Sequence, residues 1–363
     1  MTTTSCPLCG WDRARTVTIS PPHLAPDRGE RFHWVRCREC GLVRLADMPR
    51  GGALDAYYGP GYLPHRGPEA WGRWAPLVRL AERRRDRLRV EWARRAVAEA
   101  GDPGLCGICG ERDAAATPGE PGAGTGAPRG AGTSRGADGS PGEPGSDELP
   151  SDLRVLDVGC GRPTFLRALG KATGWHGTGL DTSDAGWRDD DAGAWTGLDL
   201  RVGRVEDADL DVGSFHLVTL WHVLEHVPAP RPFLERLHDV TGPGGVLVVE
   251  VPDHASFARR LQGESWIGYD TPRHAVAYEP GTLNRMLAET GWRVKQLRRW
   301  GTLDPWVLWW LGRQVGRGRT LEGALEKDFL PFLAGKILTW PVAALQRWLP
   351  LGAMTAVARR RDD

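Results

Sequence analysis

The second half of the chain alternates between two spacings of apolar residues. Short apolar runs with strand character recur, and the segments between them carry apolar residues at helical spacing, as in PRPFLERLHDVTG. This alternation predicts an α/β fold: a Rossmann-like, seven-stranded, mostly parallel sheet with helices on both faces. Ligands of such sheets bind at the carboxyl ends of the strands. The predicted strand segments are LRVLDVG, GWHGTGLDTS, LDLRVGRVED, SFHLVTLWHVLEHV, GGVLVVEVPD, WRVKQLRRWG and AMTAVARRR.

The segment RVLDVGCGRPTFLRALG predicts a strand, a tight turn and a helix that begins near Pro163. Gly159 and Gly161 let a ligand approach the backbone closely. The dinucleotide pattern GxGxxG is not met, because Thr164 stands where the third glycine belongs, so a dehydrogenase is disfavoured. Pro163 lacks the N–H that a pyrophosphate would use, which favours a cofactor without phosphate, such as S-adenosylmethionine. Asp181, at the end of the next strand, is expected to bind the ribose hydroxyls or to cap the following segment.

Composition divides the 363 residues into parts. We predict a zinc-binding module in 1–66, a connecting helix in 67–100, a disordered Gly/Pro-rich linker in 101–150 and a catalytic domain in 151–363. The net charge of +1 gives no general reason to expect a nucleic-acid partner. The chain has no leader pattern and no apolar run of membrane-spanning length, so a cytoplasmic protein is expected.

The N-terminal cysteines form two CxxCG turns. The first turn holds Cys6 and Cys9, the second holds Cys37 and Cys40, and 27 residues lie between Cys9 and Cys37. Four thiolates make a closed tetrahedral site, which predicts a structural Zn²⁺ that helps a small module to fold. A further pair in the linker, Cys106 and Cys109, has no second pair, so idle thiols are favoured over a metal shared between chains.

Several motifs in order carry a family resemblance. LDVGCG, GLD, LWHVLEHVP and PGGVLVVEVP resemble the class I S-adenosylmethionine-dependent methyltransferases. CRECGLV, AYYGPGY and WIGYDTPRHAVAYEPGTL are similar to a bacterial subfamily with an N-terminal zinc-binding module, found among sugar and glycan-biosynthesis methyltransferases. The resemblance implies cofactor contacts at Asp157, Gly159, Gly161 and Asp181. It also implies an adenine-binding acid, for which Glu206 and Asp207 are the candidates.

Two polar clusters are candidates for the chemistry. His222 follows the fourth predicted strand and is our candidate general base, with a pocket-wall role as the alternative. Asp270, Arg273 and His274 follow the fifth strand on a predicted loop, because Pro272 disfavours helical geometry before it. Asp270 and His274 are candidate catalytic residues, and Arg273 is expected to bind an anionic or hydroxylated acceptor or to pin the loop in a salt bridge.

The two clusters can also combine in a divalent metal site. His222, Glu225, His226 and His274 would be its ligands, and small-RNA and ubiquinone O-methyltransferases resemble this arrangement with a carboxylate in place of His222. The simpler interpretation gives Glu225 and His226 to the start of the next helix. The tyrosines of the N-terminal module are expected either to close the site or to pack against the main domain. They are Tyr57, Tyr58 and Tyr62.

The insertion at 301–350 is rich in Trp and Leu. Its residues are expected to pack as helices over the sheet edge and substrate mouth, or to contact a membrane surface from the cytoplasmic side. The predicted function is methylation of a sugar, glycan precursor or small metabolite at oxygen or carbon by an S-adenosylmethionine-dependent enzyme, with no specific nucleic-acid partner. A non-catalytic methyltransferase-like binding protein and an RNA methyltransferase are the alternatives.

Overall fold

The computed structural model describes residues 5–25, 29–49, 51–58, 66–100, 152–191, 193–321 and 325–362. The predicted linker with Cys106 and Cys109 lies outside these residues, as does Tyr62.

The main sheet has seven strands and confirms the predicted fold class. Its spatial order is β6-β5-β4-β7-β8-β11-β10, and all neighbours are parallel except for β11, which runs antiparallel to both β8 and β10. The order reverses between β4 and β7, so a ligand crevice is expected at their carboxyl ends. The strands are β4 (Arg154–Val158), β5 (His176–Asp181), β6 (Asp199–Val202), β7 (Phe215–Trp221), β8 (Thr241–Pro252), β10 (Trp292–Arg298) and β11 (Ala353–Arg360).

Helices cover both faces of this sheet. The described helices are α1 (Gly52–Asp55), α2 (Ala75–Ala100), α3 (Thr164–Thr173), α4 (Pro230–Val240), α5 (Phe257–Gln262), α6 (Pro280–Ala288), α7 (Pro305–Gly316) and α8 (Phe329–Ala344). Val155 packs with α2 and α3 on one face, and Leu156 packs with α4 and α6 on the other. Side chains of successive strand residues point to opposite faces, so the strands build two cores. Helix α2, predicted only as a connector, is therefore part of the catalytic core.

The N-terminal module shares a small sheet with the catalytic domain. Strands β1 (Ala14–Ser20), β2 (Phe32–Cys37) and β3 (Val43–Leu45) form an antiparallel sheet that β9 (Val276–Ala277) completes. Trp34 of the module stacks 4.8 Å from Tyr269, and its indole N–H donates to Thr271 Oγ1 at 3.0 Å. The motif WIGYDTPRH is thus the surface on which the module docks.

The insertion at 301–350 contains the helices α7 and α8, and its two predicted roles, a cover over the sheet edge and a membrane contact, stay predictions. Helix α7 packs against α5 and the turn after it, and a cluster of aromatic residues joins the insertion to the segment before α2. Trp71 lies 5.9 Å from Trp310, and Trp74 stacks on Phe329 at 4.7 Å. Among the described residues, no helix is both long enough and apolar enough to cross a membrane.

Candidate active site

The turn between β4 and α3 has the conformation that its glycines predict. Gly159 and Gly161 have φ of 68° and 49°, in the region that disfavours side chains. A Cβ at Gly159 would meet Val223 Cγ2 at 2.5 Å, whereas no described atom lies within 4 Å of a Cβ at Gly161. Helix α3 begins at Thr164, one residue after the predicted start, so Pro163 occupies the N-cap position. The turn leaves open space in front of Gly161.

Asp181 ends β5 beside this turn. Its Oδ2 accepts from the Gly161 N–H at 2.8 Å and its Oδ1 from the Ser183 N–H at 3.2 Å, so the capping alternative describes part of its role. Each carboxylate oxygen retains a second lone pair for a ligand. The Gly203 N–H donates to the Asp181 backbone carbonyl at 2.8 Å, which brings the turn after β6 to the same edge. Glu206, in that turn, forms an ion pair with Arg204 at 3.4 Å, and Asp207 follows it.

A buried carboxylate and a partly buried cation lie behind the turn. Asp157 is buried and accepts from Thr219 Oγ1 at 2.6 Å, and burial raises the pKa of Asp157 to about 7. Arg89 of α2 lies over the Trp221 ring at 4.9 Å. Burial lowers the pKa of Arg89 to about 10, although the nearby carboxylates Glu250 and Asp157 oppose this shift. Arg89 is therefore a cation at neutral pH, close to the carboxyl ends of β4 and β7.

His222 follows β7 and lies between two buried carboxylates. Its Nδ1 is 3.2 Å from Glu225 Oε1, and its Nε2 is 2.8 Å from Glu250 Oε1. Burial alone would lower the pKa of His222, but the two carboxylates outweigh burial and raise it to about 9. With both ring nitrogens engaged, His222 is a protonated bridge in this arrangement. Its role as a general base stays a prediction, and the geometry favours a positioning role.

Glu225, His226 and His274 form a compact donor set. One ligand atom of each lies within 4.8 Å of the others. The His226 Nδ1 is 3.2 Å from the Arg273 carbonyl oxygen, and the His274 Nδ1 is 2.9 Å from that of Gly268. Since a carbonyl only accepts, each Nδ1 carries the proton and each Nε2 carries the lone pair. Burial lowers the pKa of His226 to about 4, so it is neutral at pH 7.

The carboxylate of this set is only half satisfied. Glu225 is buried, its Oε1 pairs with His222, and its Oε2 has no hydrogen-bond partner among the described residues. An unpaired buried carboxylate oxygen is costly unless a ligand completes it. Two histidine nitrogens and one carboxylate oxygen are a donor set that first-row divalent metals accept. The structure thus brings together three of the four predicted metal ligands, Glu225, His226 and His274. The fourth, His222, lies outside the set and contacts Glu225.

The loop that contains Asp270 and Arg273 is fixed by an ion pair between these two residues. Arg273 Nε donates to Asp270 Oδ2 at 2.8 Å, and its Nη atoms donate to the carbonyls of Tyr57 at 2.9 Å and His23 at 2.6 Å. Arg273 is buried. Of the two predicted roles of Arg273, the loop-pinning salt bridge is confirmed, and the catalytic role of Asp270 stays a prediction beside this structural one.

The tyrosines of the N-terminal module divide between their two predicted roles. Tyr57 is buried in a cluster that joins the module to the main domain. Its ring contacts Phe32 of the module edge-on at 6.2 Å, and Trp266 and Tyr269 of the main domain belong to the same cluster. Tyr58 reaches the donor set, with its hydroxyl 3.2 Å from His226 Nδ1. The module therefore contributes a side chain to the wall of the site.

The four N-terminal cysteines converge as predicted. Cys6 Sγ lies 3.5 Å from Cys40 Sγ, and Cys9 Sγ lies 3.6 Å from Cys37 Sγ. All four sulfur atoms lie within 4.8 Å of one another, and the cysteines are free thiols. Tetrahedral Zn–S bonds of about 2.3 Å require sulfur separations close to these.

Sequence reasoning missed two residues of the site. Glu250 accepts from His222, from the Thr302 N–H at 2.7 Å and from Thr302 Oγ1 at 3.1 Å. Its only signal was a carboxylate inside the apolar run VLVVEVP, since a charged residue there needs buried partners. Arg89 gave no such signal, because it stands among many other arginines of α2.

Comparison with known proteins agrees with this geometry. Residues 140–297 match the profile of a methyltransferase-domain family. The ubiquinone biosynthesis O-methyltransferase of Xanthomonas axonopodis pv. citri is 30% identical over 170 residues, which cover 43% of this chain and 69% of that protein. Its counterpart in Maricaulis maris is 28% identical over 163 residues, covering 41% of this chain and 63% of that protein.

Similar solved structures include an S-adenosylmethionine-dependent methyltransferase from Mesorhizobium loti. The two chains align over 58% of this protein and 94% of that one, with 18% sequence identity and a TM-score of 0.39. The curated relatives are matched over about two thirds of their own length. Since sequence, sheet order and glycine turn agree, this protein is an enzyme that belongs to the class I S-adenosylmethionine-dependent methyltransferases.

Proposed function

We propose that the enzyme methylates a hydroxyl oxygen and that Glu225, His226 and His274 hold a divalent cation next to the acceptor. The observation that carries this proposal is the buried, unpartnered Oε2 of Glu225, within 4.8 Å of the two histidine donors. A divalent cation bound there would act as a Lewis acid that lowers the pKa of the acceptor hydroxyl. The names of the curated relatives, ubiquinone biosynthesis O-methyltransferases, support oxygen as the acceptor atom.

The residues around the donor set would keep it ready to bind. His222, protonated between Glu225 and Glu250, holds the Glu225 carboxylate ionised and fixes its direction. The backbone carbonyls of Arg273 and Gly268 fix the tautomers of the two histidines. Partners of this kind orient metal ligands and raise their affinity.

The methyl donor would lie across the turn after β4. Open space at Gly161 admits the cofactor, Asp181 would accept from the ribose hydroxyls, and Glu206 or Asp207 would face the adenine. S-adenosylmethionine brings an activated methyl group, so the protein mainly aligns the acceptor oxygen with the sulfonium carbon. Asp157, which is buried, and Arg89, beside the Trp221 ring, would face the amino-acid end of the donor.

The acceptor that we favour is a hydroxylated compound of the kind handled in ubiquinone biosynthesis. Sugars and glycan precursors are the second candidate, supported by the zinc-module motifs CRECGLV and WIGYDTPRH. Labelled methyl donor, incubated with a hydroxylated aromatic lipid, nucleotide sugars, lipid-linked glycans and RNA in turn, separates these classes. We expect label in the aromatic lipid, lost in His274→Ala; label in sugars supports the second candidate, and label in RNA supports neither.

We also propose that Cys6, Cys9, Cys37 and Cys40 bind a structural Zn²⁺. The support is the convergence of four thiols, which come in pairs from two CxxCG turns whose glycines, Gly10 and Gly41, have positive φ. The ion would hold together a module whose sheet has only three strands of its own. Elemental analysis of purified protein should give about one zinc per chain.

A further inference from the structure

Helix α8 exposes its apolar side. Leu338 is 82% exposed, Ile337 67% and, in the turn after the helix, Trp348 75%. The exposed apolar positions recur at intervals of three and four residues, so they form one continuous strip. We call this strip the outer face of α8. It consists of Leu330, Ala334, Ile337, Leu338, Trp340, Pro341, Val342, Leu345 and Trp348.

The opposite side of the helix carries its polar groups. Lys336 forms an ion pair with Asp304 at 2.7 Å, and Thr339 Oγ1 donates to the Gly335 carbonyl at 2.8 Å. Phe329 is buried against Trp74 on this inner side. An ordinary surface helix turns its polar side to water, so the polarity of α8 is inverted. Exposed apolar strips of this kind mark interaction surfaces.

The charged residues of the segment that carries the outer face are basic. Residues 329–350 include two cations, Lys336 and Arg347, and no acidic residue. Arg347 is exposed between Leu345 and Trp348 in sequence, and its guanidinium lies 5.4 Å from the Trp300 ring centroid. Tryptophans beside an apolar strip, flanked by basic residues, are typical of segments that lie in the headgroup region of an anionic membrane.

Two more exposed apolar side chains, on helix α5, adjoin the segment that follows α8. Phe257 is 43% and Leu261 72% exposed on α5, and the Phe257 N–H donates to the Pro350 carbonyl at 2.8 Å. Arg260 lies over the Phe257 ring. The Asp253 N–H, just past the carboxyl end of β8, donates to the Gly352 carbonyl at 2.8 Å. The apolar surface therefore extends toward the end of the sheet where the site lies.

We infer that the outer face of α8 docks on the surface of an anionic lipid bilayer. The part of this inference that concerns the acceptor rests on the proposed function: a hydroxylated acceptor with an apolar tail would enter the site from the lipid. A second copy of the chain is a poorer occupant, because its outer face carries no acidic residue and would offer no opposite charge to the exposed Arg347, whereas an anionic headgroup does.

The test is co-sedimentation of the full chain with vesicles of phosphatidylcholine, with and without phosphatidylglycerol. We expect binding to the anionic vesicles that weakens with salt. The double variant Leu338→Glu, Trp348→Glu should reduce the bound fraction about tenfold or more, because two large apolar contacts are lost. Val212→Glu is the matched control: Val212 is 74% exposed outside this surface, and this variant should bind as the wild type does.

Two results would overturn the inference. One is that the wild type and the double variant bind the anionic vesicles equally, which includes the case in which neither binds. The other is a wild-type dimer in light scattering that the double variant abolishes, which would assign the outer face to a second copy. Methyl transfer to a water-soluble acceptor should survive in the double variant, so failure of membrane docking and failure of the proposed O-methylation are separate outcomes.

Discussion

At the scale of single residues, the site depends on how buried charges are compensated. The backbone of His222 has φ of 60°, which is unusual for a residue other than glycine. In this conformation both of its ring nitrogens point at carboxylates. Burial would raise the pKa of Glu225, but the hydrogen bond from His222 outweighs burial and lowers it. The result is an ionised carboxylate with one oxygen held and the other available.

Glu225→Gln tests this arrangement directly. The amide keeps the shape but loses the charge, so Mn²⁺ affinity at the donor set and the rate of methyl transfer should each fall about tenfold or more. Binding of S-adenosylmethionine, followed by calorimetry, should stay unchanged. Glu235→Gln, on the exposed side of α4, is the control for both assays. Unchanged Mn²⁺ affinity in Glu225→Gln would contradict the assignment.

Glu250→Gln should weaken folding. Removing the charge takes away the closest partner of the buried His222 cation, and breaking a buried pair costs about 3 kcal/mol. The measurement is the free energy of unfolding in urea at pH 7. A loss below about 0.5 kcal/mol, the range of ordinary surface substitutions, would show that Glu250 does not stabilise His222.

At the scale of elements, the junction between the N-terminal module and the catalytic domain connects distant parts of the chain. Strand β9 completes the module sheet, and Arg273 of the neighbouring loop donates to carbonyls of Tyr57 and His23. The same loop carries His274. Order in the module is therefore linked to the position of a proposed metal ligand.

Cys37→Ser tests this link. Loss of one thiolate should release zinc and loosen the module, so amide hydrogens of residues 266–275 should exchange faster with deuterium. The control is Cys160→Ser, since Cys160 is a free cysteine outside the cluster and its loss should leave the zinc content unchanged. Unaltered exchange in zinc-free Cys37→Ser would show that the loop is fixed without the module.

Glu279 makes the junction sensitive to acid. Hydrogen bonds from His254 and Arg36 lower the pKa of Glu279 to about 2, below the value of about 4.3 of a free side chain. The stabilisation is complete above the unfolded pKa and is lost as the pH falls toward 2. Glu279→Gln should therefore unfold more easily than wild type by about 1 to 3 kcal/mol at pH 6, and this difference should shrink at pH 3. A difference independent of pH would contradict the ion-pair account; zinc loss in acid affects both proteins alike.

The sequence predicted those elements whose chemistry is local. The β4 turn needs its glycines, the CxxCG pairs favour convergence on one point, and the alternating apolar segments need a sheet, so these features followed from the residues alone. The interpretation that gave Glu225 and His226 to the start of the next helix is wrong, because they lie in a short 3₁₀ turn, Leu224–His226, and α4 begins only at Pro230. Partners such as Glu250 come from contacts distant in sequence, which no local pattern shows.

At the scale of the whole molecule, three additions surround the seven-stranded sheet. Helix α2 packs on the sheet from before the linker, the N-terminal module fixes the loop with His274, and α7 and α8 extend the surface beside β8. Helix α2 brings Arg89 to the Trp221 ring, the module brings Tyr58 to the donor set, and α8 exposes its outer face. In our proposal the general fold would supply the cofactor site, and the module would shape the approach of the acceptor.

The most direct measurement is an anomalous difference map from a crystal grown with S-adenosylhomocysteine and Mn²⁺. We predict a manganese peak bounded by Glu225 Oε2 and by the Nε2 atoms of His226 and His274, with the nucleoside beside Asp181 and the turn at Gly161. A map without manganese at these three side chains, in a crystal whose cofactor is bound, would contradict the proposed metal-assisted methylation.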